Sequence, residues 1–85
     1  MVKVVITPQA ASDIEDLPLT IRVRVLAIVE RLAHWPGVTG AKPLRGKLKG
    51  RYRIRTGDYR VQFYPSGKTL LIVERVGHRD GFYDD

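Results

Sequence analysis

The dipeptide Gly57-Asp58 lies between two runs, 51–56 and 59–64, in which polar and apolar side chains alternate. A period of two marks a β-strand with one buried face, and a Gly-X pair between two such runs makes a two-residue hairpin turn. That turn sets the expected pairing: Thr56 opposite Tyr59, Arg55 opposite Arg60, Ile54 opposite Val61 and Arg53 opposite Gln62. Paired residues share a face, so one face carries Arg51, Arg53, Arg55, Arg60 and Gln62. The other carries Tyr52, Ile54, Val61 and Phe63. A fold built on this hairpin covers the apolar face and leaves the basic face open.

Residues 69–76 form a third strand-like run after a turn at 65–68. A loop of two or four residues pairs Tyr64 with Thr69 and Arg60 with Val73. Leu71, Val73, Arg75 and, in a strand that stays extended, Arg79 then join the arginine face. Leu70, Ile72 and Val76 join the core. Glu74 also falls on the core face, where an acid fits only at the end of the sheet or beside a bulge. Alternation places Tyr64 among the arginines.

The amino-terminal half is helical after a short β-branched strand at 2–6. Thr7 is placed to cap a helix whose first residue is Pro8. Ala10, Ala11, Ile14 and Leu17 make its apolar stripe, with Ser12, Asp13, Glu15 and Asp16 toward water. Pro18 separates it from a longer helix at 20–34 with apolar positions Ile21, Val25, Ile28, Val29 and Leu32, closed by Trp35-Pro36-Gly37. Residues 38–50, rich in glycine and proline, read as a loop. The resulting order, β-α-α-β-β-β, predicts an α+β fold over 1–85: one domain, an antiparallel sheet with a helical hairpin on one face.

The charge is concentrated. Residues 42–60 hold eight cations (Lys42, Arg45, Lys47, Lys49, Arg51, Arg53, Arg55, Arg60) against Asp58, a balance of +7 within a chain total of +6. A basic excess confined to one segment points to a polyanion site. Arginines 55 and 60, set directly opposite, repel and cannot lose their protons. A cradle for phosphates accounts for them, because guanidinium forks bind two oxygens at once. The chain has no cysteine, which excludes disulfides and thiolate metal sites. His34 and His78 show no metal-ligand spacing, and no phosphate-loop glycine pattern is present. No apolar run approaches membrane-spanning length, and the amino terminus does not read as a signal peptide. The expected compartment is the cytoplasm, with no membrane partner.

Three local patterns add to the element order: Lys42-Pro43-Leu44-Arg45-Gly46; Tyr52-Arg53-Ile54-Arg55 leading to Tyr59-Arg60-Val61; and the ending from Val76-Gly77-His78-Arg79 to Tyr83. With these the chain resembles the RelE/ParE superfamily of type II toxin–antitoxin toxins over nearly its whole length. The first two patterns are shared across the superfamily, and the arginine-then-tyrosine ending is more typical of its RelE-type ribonucleases. The resemblance implies an endoribonuclease that cuts messenger RNA on the ribosome. It implies Arg55, Arg60, Arg79, Tyr83 and His78 as catalytic residues. The phosphate contacts are then Lys47, Lys49, Arg51, Arg53 and Arg75; Tyr64, on the arginine face by alternation, is either a stacking partner for a base or an ordinary strand aromatic. Arg53 and Arg55 stand where the best-known members carry lysine, so phosphate binding carries over and a base role there does not.

RNA cleaved by its own 2′-hydroxyl needs in-line geometry, a proton acceptor, charge stabilisation and a proton for the leaving oxygen. This chemistry calls for no metal or cofactor. Arginines supply the stabilisation, which leaves Tyr83 and His78 for proton transfer. The resemblance also implies a small acidic antitoxin as partner. Two other readings fit the same fold: a ParE-like inhibitor of DNA gyrase, and a non-catalytic nucleic-acid-binding module.

Overall fold

The hairpin forms in the expected register. In the computed structural model, which describes residues 1–81, strand β3 (Tyr52–Thr56) pairs antiparallel with β4 (Tyr59–Ser66). Arg55 lies opposite Arg60 and Ile54 opposite Val61. Gly57 makes the turn at φ +60°, a left-handed conformation that glycine adopts without a Cβ clash. Strand β5 (Leu70–His78) flanks β4 on its other side.

Two departures from the expected β4–β5 pairing offset one another. The second turn contains three residues, 67–69, because β4 runs on to Ser66, which pairs with Leu70. An odd loop length shifts the register by an odd number of residues, here three (Tyr64 pairs with Ile72 and not Thr69), and exchanges the two faces. Val73 therefore lies opposite Phe63, and Leu71 and Val73 are fully buried in the core rather than on the arginine face. Leu70 and Ile72 go to the other side, half-buried. A bulge then restores the original sense, since Gln62 pairs with Arg75 while Phe63 pairs with Val73, leaving Glu74 as the extra residue. Beyond it Val76 is in the core and Arg75 is on the basic face, as alternation predicts. Glu74 turns onto the basic face too.

The sheet has five strands in the order β1-β5-β4-β3-β2. Strand β1 (Lys3–Ile6) lies parallel to β5, so the sheet is not antiparallel throughout. The opposite edge, β2 (Lys42–Pro43), arises inside the stretch expected to be loop and pairs Lys42 with Arg53. Two residues, one of them a proline that cannot donate to a ladder, leave almost no strand signal, and an edge is where proline is tolerated.

Helices α1 (Pro8–Glu15) and α2 (Leu19–Arg31) cover the apolar face. Ala10, Ile14, Leu17, Val25, Ile28 and Leu32 meet Ile54, Val61, Phe63, Leu71, Val73 and Val76 there. Ala11 is exposed, outside this cluster. The final turn of the second helix tightens to 3-10 geometry over Leu32–His34. Trp35 follows, its ring edge-on to Tyr52 at 4.7 Å and to Phe63 at 5.2 Å. Helix α1 is fastened to β5 on both sides of the bulge. Thr7 Oγ1 accepts from the Ala10 N–H and donates to the Glu74 carbonyl at 3.1 Å. Asp13 Oδ2 accepts the Val76 N–H at 2.9 Å, so Asp13 does not face water as its helical position suggests. No helix among the described residues is long and apolar enough to cross a membrane.

Candidate nucleic-acid interface

Strand pairing assembles the basic face as two rows across the sheet. One runs Lys42, Arg53, Gln62, Arg75 through β2, β3, β4 and β5. The next runs Arg55, Arg60, Gly77. Gly77 carries no side chain, so Arg55 is the charged residue laterally opposite Arg60. Lys42 joins through the short edge strand, a placement the sequence pattern did not disclose.

The face is not uniformly open. Arg53 and Arg60 are 6% and 3% exposed, and Gln62 is 6% exposed, whereas Arg55, Arg75 and Lys42 are exposed. Long side chains crowded on the central strands cover one another's stems, and the bulge bends β5 beside them. Buried guanidinium groups keep their charge, since arginine does not deprotonate in proteins. Exposed Arg55 and Arg75 therefore flank two buried arginines, Arg53 and Arg60.

Among the described residues, Glu74 is the acid on this face. Its Oε1 accepts from Arg51 Nε at 2.6 Å and from Gln62 Nε2 at 2.8 Å. The Arg51 guanidinium carbon lies 5.1 Å from the centre of the Tyr64 ring, a cation–π distance. The signal for Glu74 was the pair Glu74-Arg75, two adjacent polar residues that break the period-two pattern of β5.

Other expected site residues lie apart from these rows. Lys47 falls in a 3-10 turn (Gly46–Leu48) and Lys49 just after it, both exposed. Strand β5 ends at His78, and Arg79 opens a further 3-10 turn (Arg79–Gly81) instead of extending the arginine face. Its N–H donates to the Asp58 carbonyl at 2.8 Å, which ties the turn to the β3–β4 hairpin. His78 pairs with Tyr59, and alternation sets it on the face opposite Arg60. The two rings meet edge-on at 5.3 Å. His78 Nδ1 accepts the Asp80 N–H at 3.2 Å. Asp80 Oδ2 lies 3.3 Å from the same nitrogen and forms an ion pair with it when the ring is protonated. Tyr83 lies outside the described residues.

Known proteins resemble the chain along most of its length. Residues 4–81 match the family described as ParE toxin of type II toxin-antitoxin system, parDE. Toxin RelE3 of Methanocaldococcus jannaschii is 34% identical, with 96% of each chain covered. The toxin–antitoxin complex RelBE2 of Mycobacterium tuberculosis contains a chain that superposes with a TM-score of 0.79 at 31% identity, over 92% of this chain and 98% of that one. A chain of the RelB–RelE antitoxin–toxin complex of Methanococcus jannaschii superposes with a TM-score of 0.76 at 28% identity, covering 94% of this chain and 95% of its own.

Proposed function

Because the chain belongs to the RelE/ParE superfamily of type II toxin–antitoxin toxins, we propose that it is a RelE-type endoribonuclease that cleaves messenger RNA, most effectively on the ribosome. The observation that carries this reading is the paired Arg55 and Arg60 at the centre of the basic face, one exposed and one buried. Attack of a 2′-hydroxyl on the adjacent phosphate builds a dianionic phosphorane. Fixed guanidinium groups stabilise that charge without reorganising at the moment of reaction, and Arg55, Arg75 and Lys42 bind the flanking phosphates. Proton transfer falls to Tyr83, on the family resemblance. His78 is the second candidate, placed at the strand end and not on the arginine face.

The test is to incubate the purified chain with RNA and identify the ends it makes. The reading requires a 2′,3′-cyclic phosphate and a 5′-hydroxyl, with cleavage lost when the nucleotide 5′ to the cut is 2′-deoxy. Cleavage that survives the deoxy substitution excludes 2′-hydroxyl attack. The ParE-like alternative, an inhibitor of DNA gyrase, is favoured by the family model's description. It requires growth arrest with intact RNA.

The partner in this reading is an acidic antitoxin acting in the cytoplasm. Two similar solved toxins are held in complexes with antitoxins. On α2 of this chain, Leu19, Val23 and Leu26 are 70%, 61% and 42% exposed, beside exposed Arg24 and Arg31. An apolar stripe bordered by cations suits a segment with the complementary pattern, apolar residues flanked by acids. Its association is expected to be fast and salt-sensitive.

A further inference from the structure

Glu74, Gln62 and Tyr64 form a cluster with Arg51, which the sequence places among the phosphate contacts and the structure pairs with an acid. We propose that they constitute a nucleobase subsite, in which Glu74 is a positioning residue that holds Arg51 against Tyr64 and a base stacks on the pair. The inference rests on the RNA reading and adds a base contact to it.

The argument begins with the bulge. Glu74 is the inserted residue of β5, and the insertion puts it on the basic face together with the adjacent Arg75. On the basic face an acid weakens attraction for phosphate, so its contribution must lie in what it holds. It takes Arg51 by Nε alone, and the terminal nitrogens form no part of that contact. The planar group lies over the Tyr64 ring. The second hydrogen bond, from Gln62, holds the carboxylate from the β4 side, and Gln62 is itself buried. Arg51 and Tyr64 are only half-buried, so the pair is reachable from solvent. Bases stack on tyrosine rings and on guanidinium planes alike. Tyr64 lies four residues along β4 from Arg60, roughly 13 Å at the rise of a strand. A strand of RNA whose phosphate sits at Arg60 can therefore lay a neighbouring base at Tyr64. Such a subsite reads the presence of a base more than its identity, because every base has a π-face.

The experiment measures binding of two labelled 2′-O-methyl tetranucleotides, which resist cleavage, one with all its bases and one abasic throughout. The native chain should prefer the strand with bases by roughly 5- to 150-fold, the factor of one stacked base. Tyr64→Leu should bring that ratio close to one and leave affinity for the abasic strand unchanged. Tyr64→Phe should restore the preference. Arg51→Met and Glu74→Ala should each reduce the ratio, and Arg51→Met, at a half-exposed position, keeps the test valid if Tyr64→Leu fails to fold. A ratio near one in the native chain, or one unmoved by both Tyr64→Leu and Arg51→Met, overturns the subsite even where RNA is still cut. A base-dependent ratio in a chain that cuts no RNA overturns the nuclease reading and leaves the subsite standing.

Discussion

Strand β4 shows two faces that are equally buried and opposite in chemistry. Val61 and Phe63 point to the helices with no exposed area, while Arg60 and Gln62 point away and are 3% and 6% exposed. Burial of the first pair is favourable by itself, at about 1.5–3 kcal/mol for a large side chain. Burial of a charged guanidinium is unfavourable unless it is paired and hydrogen-bonded. The contrast separates what folds the chain from what the fold carries. The helical face needs no ligand to explain it. The arginine face sets Arg55 directly opposite Arg60, a pairing of like charges that disfavours the sheet.

That contrast predicts mutational effects of opposite kinds. The largest is on the core side. Phe63→Ala should cost about 3–5 kcal/mol, a large share of the 5–15 kcal/mol typical of native domains, read as a lower midpoint in urea unfolding. A loss below about 1 kcal/mol would mean that Phe63 is not the centre of the core. Arg60→Met keeps much of the volume and removes the charge. RNA cleavage by the variant should fall about 10²–10³-fold, the scale of one lost stabilising donor, with cooperative urea unfolding retained. Arg60→Met that unfolds the protein would place Arg60 with the folding residues and dissolve the distinction.

Smaller effects sharpen the boundary. Asp13→Ala leaves the Val76 N–H beside the bulge without its acceptor and should cost about 1–3 kcal/mol. Hydrogen exchange at Val76 should rise more than at Val61. Equal exchange at both sites in the variant would remove Asp13 as a local fastener. Arg55→Ala should be nearly neutral for stability, within about 0.5 kcal/mol, because the residue is exposed and faces a like charge. Its RNA affinity should fall, and the salt dependence of binding should become shallower.

Much of this was legible in the sequence, and the parts that were not have definite causes. Local rules sufficed for the β3–β4 register, the Thr7 cap and the helical core positions Val25, Ile28 and Leu32. The β4–β5 register depends on a loop length that Pro65-Ser66-Gly67-Lys68 does not specify, and one residue there moved Leu71 and Val73 to the other face. The bulge left its trace in Glu74-Arg75, but the direction of Glu74 is set by Thr7 and Gln62, distant in sequence. Lys42 reaches the basic face through a strand of two residues. Arg79 was expected to extend the arginine face and opens a 3-10 turn instead, because β5 ends at His78 and the Arg79 N–H is taken by the Asp58 carbonyl. Burial of Arg53 and Arg60 is a property of the crowded face, which alternation does not reveal.

The central claim is that the arginine face acts on RNA. It is tested most directly by mapping new RNA 5′ ends in cells expressing the chain or its Arg60→Met variant at matched levels. The account predicts new ends inside translated messages with the native chain, and their loss with a folded variant. Growth arrest by the native chain without new ends, or the same ends at full intensity from Arg60→Met, would contradict it.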